Sequence, residues 1–565
     1  MMRPSSFSLR PCLRLGTGLV LALLALPAAA QQVPSTVAPG RDRAVPEAAP
    51  PPSFDFTIEA PRRSPVPRAV EELAFEIKDI RVIGATVYAP AELRPLFQPL
   101  IGTTGHLSDI VEVAEKIEAK YRADGYILSR AFVPPQSVSD GVFQISVVEG
   151  YVDAIAIDGG DDDTRDRVRA ILEPVTRSRP LRLKVIETAL LRANELPGTG
   201  VSGLLRPSAT QPGASDLAVT VSAQPVSALL SYDDRNTKLT DRRTIEADVA
   251  VRSPLNDGGQ IQLMYSQAPR INERHTISTK YVRPVGTEGI TVSFGWLKSH
   301  SEPMFGAATG LELITDSLAV GPRATYPLLI SRQNRVSLDA GFTWQSADVK
   351  SLDQPLTHDS WRVVDIALTY QNVGFLGGVT SLSVDVAHGL NALGAYTGND
   401  GTPVSRTGGR VDFTKLTSIL RRNQPIWGQF SASVVGQGQL AMNTLLLGEE
   451  VSFGGTTIGR GYDPASLIGD SGIGGAFEIR YDEPVAYTYL ENAQLYLFYD
   501  VAKVYSHVGG PPNNDVLESA GFGLRLTVNR NLSAGAELAR TMIPLPNNND
   551  GVRNTRLLVN AAARF

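Results

Sequence analysis

The chain has 565 residues, 42% of them hydrophobic and 20% charged, with 51 Gly and 38 Pro. This composition excludes wholesale disorder and collagen-like chains, and the length exceeds what one soluble core organises, since such cores stop growing at about 250 to 300 residues. The net charge of -5 leaves no basic excess for phosphates, which excludes nucleic acid as a main partner, and the one cysteine, Cys12, excludes internal disulfides and thiolate metal clusters.

Arg3, Arg10 and Arg14 precede the apolar run from Leu19 to Leu26, and Pro27 is followed by three alanines before Gln31. Charge, apolar core and small-residue cleavage site in that order read as a secretory signal peptide over residues 1–30. Its apolar core of about 12 residues is shorter than the roughly 20 that a spanning helix needs. Cys12 lies ahead of the apolar run, which argues against a lipoprotein anchor. Cleavage removes three arginines and takes the net charge from -5 to -8. No later apolar stretch approaches the length of a spanning helix, so export leaves the periplasm, the outer membrane or the medium.

Residues 31–74 form a Pro-rich linker that includes Pro50, Pro51, Pro52, Pro61, Pro65 and Pro67, residues that helix interiors and central strands reject. From Phe75 the pattern becomes regular. Residues 75–83 alternate as a strand that ends at Gly84, and Pro90 opens a short helical turn. Ser108 can cap a helix whose apolar residues Ile110, Ala114, Ile117 and Tyr121 share a face, with Gly125 as its stop. Strands follow over 127–133 and 142–148. The order β-α-α-β-β then repeats about 75 residues on, with Ile155, Ile157 and Gly159 matching Ile80, Val82 and Gly84. Its helices are expected over 164–172 and 183–195 and its strands near 201–207 and 217–221. Two tandem modules, 75–150 and 151–224, result.

Beyond residue 225 the helical period vanishes. Segments of about ten residues alternate apolar and polar, as in 261–265, 291–297, 336–344 and 381–386, separated by turn clusters such as Asn256-Asp-Gly-Gly259. About sixteen segments at a spacing of about 21 residues match an outer-membrane barrel over 225–565. An even strand number puts both barrel ends on one side, so the modules hang in the periplasm. Closure follows from the need to pair every backbone group in hydrocarbon. The last segment ends on Phe565 and is a candidate closing strand; a soluble sandwich is the alternative.

Gly469-Asp-Ser-Gly472 is like the nucleophile loop of trypsin-type proteases, but none of the six histidines lies in a supporting context, and a turn before a strand accounts for it better. Asp161, Asp162 and Asp163 lack the Gly and the terminal Glu of a calcium loop and suit a helix start. No metal, nucleotide or other cofactor motif occurs. The informative stretch is Gly454 to Tyr462, in which Arg460 stands between Gly459 and Gly461 in a loop, 454–471, long enough to fold into a barrel lumen. Some 40 residues later Asp500 lies between Tyr499 and Val501, so it points inward if those face lipid. An arginine and a carboxylate confined there would pair bidentately.

Two tandem modules, the Arg460-Gly461-Tyr462 loop, Phe498 and Asp500 on a later strand, and the terminal Phe565 together resemble the TpsB transporters of two-partner secretion. These are the haemolysin and filamentous-haemagglutinin secretion proteins, related to barrel-assembly proteins. The resemblance implies an α+β pair of periplasmic POTRA modules followed by an all-β transmembrane barrel of 16 antiparallel strands. It implies a non-enzymatic translocator in the bacterial outer membrane that captures an unfolded TpsA-like partner of adhesin, haemagglutinin or haemolysin type and threads it through the barrel once the Arg460 loop shifts. It carries over Arg460, Gly461 and Tyr462 as the pore loop, Asp500 and Phe498 as its lumen partners, and Phe565 as the closing terminus.

Gly459 stands where the family usually has valine, and Ala502 where it usually has glycine. Family members often carry an N-terminal plug helix, against which the short, Pro-containing segment 31–44 argues. Outer-membrane lipid and the barrel-assembly machinery are the further partners implied, with no nucleotide. The alternative class is a protein that itself inserts barrels, for which two modules are few.

Overall fold

The computed structural model describes residues 55–58, 74–138, 140–211, 213–303, 313–398, 401–487, 490–508, 516–545 and 554–565. The signal-peptide segment and segment 31–44, whose composition argues against a plug helix, lie outside the described residues, as does most of the linker.

The first module packs helix α1 (Leu107–Ala123) across a three-stranded sheet ordered Asp79–Ile83, Val142–Val148, Arg130–Phe132, with a small second sheet of Ala74–Ile77 and Thr103–His106. The stretch 75–83, expected as one strand, is thus divided between two sheets. Ile110, Val113, Ala114, Ile117 and Tyr121 recur every three or four residues and bury one face of α1 against Phe143, Ile145 and Val147. The helix starts one residue before Ser108, which lies within it and does not cap it. The Asp109 carboxylate instead accepts the His106 backbone N–H at 2.7 Å.

The second module repeats the arrangement, with α2 (Asp162–Arg177) and α3 (Leu183–Ala193) on a sheet of Tyr151–Gly159, Ala214–Ala223 and Thr199–Pro207. Asp161 caps α2 by accepting the Thr164 N–H at 2.8 Å. The helix runs past Leu172, where the sequence reading ends it, and through Pro174 to Arg177. An interior proline costs roughly 3 kcal/mol. Complete burial of Val175, Val168 and Leu172 in the module core offsets it, at about 1.5 to 3 kcal/mol for each side chain.

Gly84 and Gly159 carry the repeat down to the backbone. Their φ values are +87° and +81°, and a Cβ on either would overlap the carbonyl oxygen of Val147 or Val221 at the matching place. Within the linker, Asp55–Ile58 adds a fourth strand, parallel to Thr199–Pro207, at the edge of the second sheet.

Sixteen antiparallel strands then close into a barrel, from the first (Val226–Asp233) to the sixteenth (Thr555–Arg564), which pair with each other from Leu229↔Arg564 to Asp233↔Asn560. On the thirteenth strand (Leu490–Tyr505), Leu495, Leu497, Tyr499 and Val501 are at least 40% exposed, whereas Tyr496, Phe498, Asp500 and Ala502 are at most 5% exposed. An apolar outside and a filled inside are what a strand needs when one face meets lipid and the other a lumen. Among the described residues no helix is long and apolar enough to cross a membrane. Phe565 extends the seam, exchanging backbone hydrogen bonds with Ala228 at 2.9 and 3.1 Å.

The second module is docked against the turns after the second (Thr244–Arg252), fourth (Arg274–Val285) and sixth (Leu313–Ile330) strands. Arg252 donates to Asp161 at 3.1 Å and to the Pro197 carbonyl at 3.0 Å. Arg192 pairs with Glu288 at 2.7 Å, and Arg335 with Glu195 at 2.8 Å.

Candidate functional site

The connection between the eleventh strand (Phe430–Ala441) and the twelfth (Ser471–Tyr487) turns back into the barrel. At its base a short hairpin pairs Val451–Phe453 with Leu467–Gly469. Below it Phe453, Ile458, Tyr462 and Leu467 pack against Ala502, Val504 and Leu517 of the wall. The loop is therefore held first by apolar burial, as a piece of core would be.

Its tip carries the charge. The Arg460 guanidinium, 4% exposed, grips Asp500 with Nη2 at 2.7 Å from Oδ1 and Nε at 3.1 Å from Oδ2. Asp500 Oδ2 also accepts the backbone N–H groups of Gly459 and Arg460, at 3.1 and 3.0 Å, and the Ser519 hydroxyl at 3.0 Å. A wholly buried carboxylate is thereby fully partnered. The other arm of Arg460 reaches Glu478 at 2.5 Å and Glu537 at 3.4 Å, and the guanidinium lies 3.7 Å above the centre of the Phe498 ring. Gly461 lets the tip touch the wall, since a Cβ there would stand 2.9 Å from the backbone of Arg540 and Thr541. The Tyr462 hydroxyl is 2.5 Å from the Ile543 carbonyl and 2.9 Å from that of Glu518.

Arg460, Gly461, Tyr462, Phe498 and Asp500 thus converge on one place, while Phe565 lies apart at the seam. Gly459 has φ +89°, a conformation that valine, usual there in the family resembled, rarely adopts. Ala502 packs beneath the loop.

Sequence reasoning missed the outer ring. Arg525 bridges Glu478 at 3.0 and 3.1 Å and stacks 3.8 Å over Tyr496, Arg480 donates to Glu478 at 2.6 Å, and the Tyr496 hydroxyl donates to Glu537 at 2.8 Å. The signal was available: Glu478 lies between Phe477 and Ile479, and Glu537 between Ala536 and Leu538, the same inward parity that marks Asp500.

A second contact ties the loop to the seam. Asp463 Oδ1 lies 2.8 Å from Arg556 Nη1 on the sixteenth strand and 3.8 Å from Arg242, and Arg556 is 5% exposed in its side chain. The sequence between Gly469 and Gly472 is structural. Buried Asp470 accepts both arms of Arg406 at 2.6 and 2.9 Å and the backbone N–H groups of Leu445 and His507, both at 2.7 Å. Ser471 Oγ accepts the Ala441 N–H at 3.0 Å. Asp162 and Asp163 pair with Arg165 and Arg167 on their own helix. Among the described residues, no three His, Cys, Asp or Glu side chains are grouped to hold a metal ion.

A closed sixteen-stranded barrel with docked α+β modules on its periplasmic side and an arginine-clamped loop in its lumen defines an outer-membrane transporter that carries POTRA domains. Residues 75–150 match the POTRA domain of ShlB type, and residues 213–526 match the haemolysin secretion/activation protein ShlB/FhaC/HecB family. The chain belongs to that family, the outer-membrane transporters of two-partner secretion. Among curated relatives, the heme/hemopexin transporter protein HuxB of Haemophilus influenzae is 23% identical over 84% of this chain and 85% of its own length. The outer membrane transporter CdiB of Dickeya dadantii is 22% identical over 74% and 73%. Among solved structures, CdiB from Escherichia coli has the same fold, with a TM-score of 0.69 at 20% identity over 89% of this chain and 93% of that one.

Proposed function

We propose that this transporter takes an unfolded exported protein of adhesin, haemagglutinin or haemolysin type from the periplasm and passes it through its barrel. The observation that carries the reading is the docking of the second module against the turns of a closed barrel that holds an open cavity along its inner wall. Capture proceeds by strand addition to a POTRA sheet edge, where main-chain hydrogen bonds recognise extended chains of many sequences. In the first module Ile83 and Phe132, on the two outer strands, are 50% and 47% exposed. The chain performs no catalytic step and uses no nucleotide; folding of the partner outside the cell gives direction.

Arg460, Gly461 and Tyr462, with Asp500 and Phe498, form the latch that fixes the loop and so sets the width of the passage. Phe565 serves the closure of the barrel, which is itself inserted into outer-membrane lipid by the barrel-assembly machinery. Deletion of the gene, followed by inventory of the medium and the outer membrane, tests the reading. Loss of one large exported protein is expected, with other barrels unchanged. A broad loss of barrels would replace transport by barrel assembly.

A further inference from the structure

The latched loop occupies one side of the lumen. Its partners lie on the twelfth to fifteenth strands: Glu478, Asp500, Ser519 and Glu537. Opposite it a cavity of about 1540 Å³ follows the inner wall of the first six strands, from Ser227 and Phe565 at the periplasmic mouth to Asn236 and Ser301 near the outer end. Small hydroxyl side chains line part of that wall, among them Ser266, Thr276, Ser278 and Ser299, with Thr276 donating to Ser299 at 3.0 Å. Such groups exchange hydrogen bonds with a passing backbone much as water does, and so hold none of it for long.

The second module is anchored beneath this same half. Its ion pairs Arg252–Asp161, Arg192–Glu288 and Arg335–Glu195 fall at the module-facing ends of the second to seventh strands and their turns.

We propose that the exported partner crosses as one extended, unfolded strand along the wall of the first six strands, beside the loop while it stays latched. The proposal rests on the transport reading above and names the route within it. A strand occupies about 4.8 by 10 Å in cross-section, so spanning a hydrocarbon core of about 30 Å needs roughly 1,440 Å³. With the loop seated, the cavity beside it is large enough for such a strand. The loop expected to move aside can therefore stay in place while an extended strand passes beside it.

The test uses the full-length transporter in cells exporting its partner, with a photo-crosslinking phenylalanine derivative placed at Ser278 or Ser299, and for comparison at Val435 on the eleventh strand. Crosslinks to the partner from Ser278 and Ser299, and none above background from Val435, are expected. Crosslinks chiefly from Val435 would overturn the route while leaving the transport function intact. Export without crosslinks from either wall would overturn both. Ser278→Trp and Ser299→Trp narrow the same wall; loss of secretion from a barrel that still shows heat-modifiable migration supports the route, and undiminished secretion refutes it. Should a variant fail to assemble, the crosslink pattern alone decides.

Discussion

Replacing Arg460 by alanine removes one guanidinium from a pocket that holds three buried carboxylates. Asp500 keeps the N–H groups of residues 459 and 460 and the Ser519 hydroxyl, and Glu478 keeps Arg480 and Arg525. Glu537, 1% exposed, keeps the Tyr496 hydroxyl at 2.8 Å after losing its contact with the arginine. Breaking a buried pair by removing one partner costs about 3 to 5 kcal/mol. At 1.36 kcal/mol per decade, the ratio of docked to undocked loop falls by roughly 10²- to 10⁴-fold.

Cys12 precedes the predicted cleavage site, so a cysteine introduced at Thr456 is the one thiol of the mature chain and reports loop exposure by its labelling rate on whole cells. Arg460→Ala should raise that rate and reduce secretion while the barrel stays in the membrane. Arg460→Lys, which keeps the charge and loses the two-pronged grip, should fall between. Arg460→Ala with Asp500→Ala should cost less than the sum of the two single changes. An unchanged labelling rate in Arg460→Ala, with the barrel correctly assembled, refutes the latch.

Gly459→Val should loosen the same loop by about 1 to 2 kcal/mol, because the backbone there is left-handed, and its Cβ would stand 2.9 Å from Leu517 Cδ1; faster labelling at position 456 with normal barrel folding checks it. Removing Phe565 deletes both backbone bonds to Ala228, worth about 1 to 3 kcal/mol together, and should lower the fraction of heat-resistant barrel on gels. The Asp161 carboxyl is held below the usual carboxylate range, first by the Thr164 hydroxyl and then by the Thr164 N–H and Arg252. A depressed folded-state value stabilises above the unfolded-state value, near 3.9, and the contribution is lost as pH falls through the folded value. Hydrogen-exchange protection at the start of α2 should hold at neutral pH and decline below about pH 4, and Asp161→Asn should abolish that acid dependence.

The barrel was legible in the sequence because lipid imposes a two-residue period on the strands that face it, and Phe477, Tyr499 and Leu557 show it plainly. Asp500 was legible for a related reason, since a charge between residues that face lipid has only the lumen to enter, and Arg460 because it stands alone between glycines in a loop long enough to reach that lumen. Glu478, Glu537 and Arg525 obey the same rule, yet their meeting depends on the shear of strands distant in sequence, which no local pattern records. The strand Asp55–Ile58 lies in a Pro-rich stretch whose composition argues for a spacer, and its pairing is supplied entirely by the sheet it joins. Local signals likewise misplaced the start of α1 and the end of α2. There His106 with Asp109, and the core contacts of Val175, outweigh the cap preference of Ser108 and the helix-breaking tendency of Pro174.

The contact between Asp463 and Arg556 bears on how the molecule is made. Arg556 belongs to the last strand to be synthesised, and its counter-charge waits on the lumen loop. A sixteenth strand that zips onto the first before the loop has entered leaves that guanidinium without the carboxylate that stands 2.8 Å from it in the finished barrel. A barrel that closes with its loop seated therefore gains a charge contact between the lumen loop and the closing strand that one closing without it lacks.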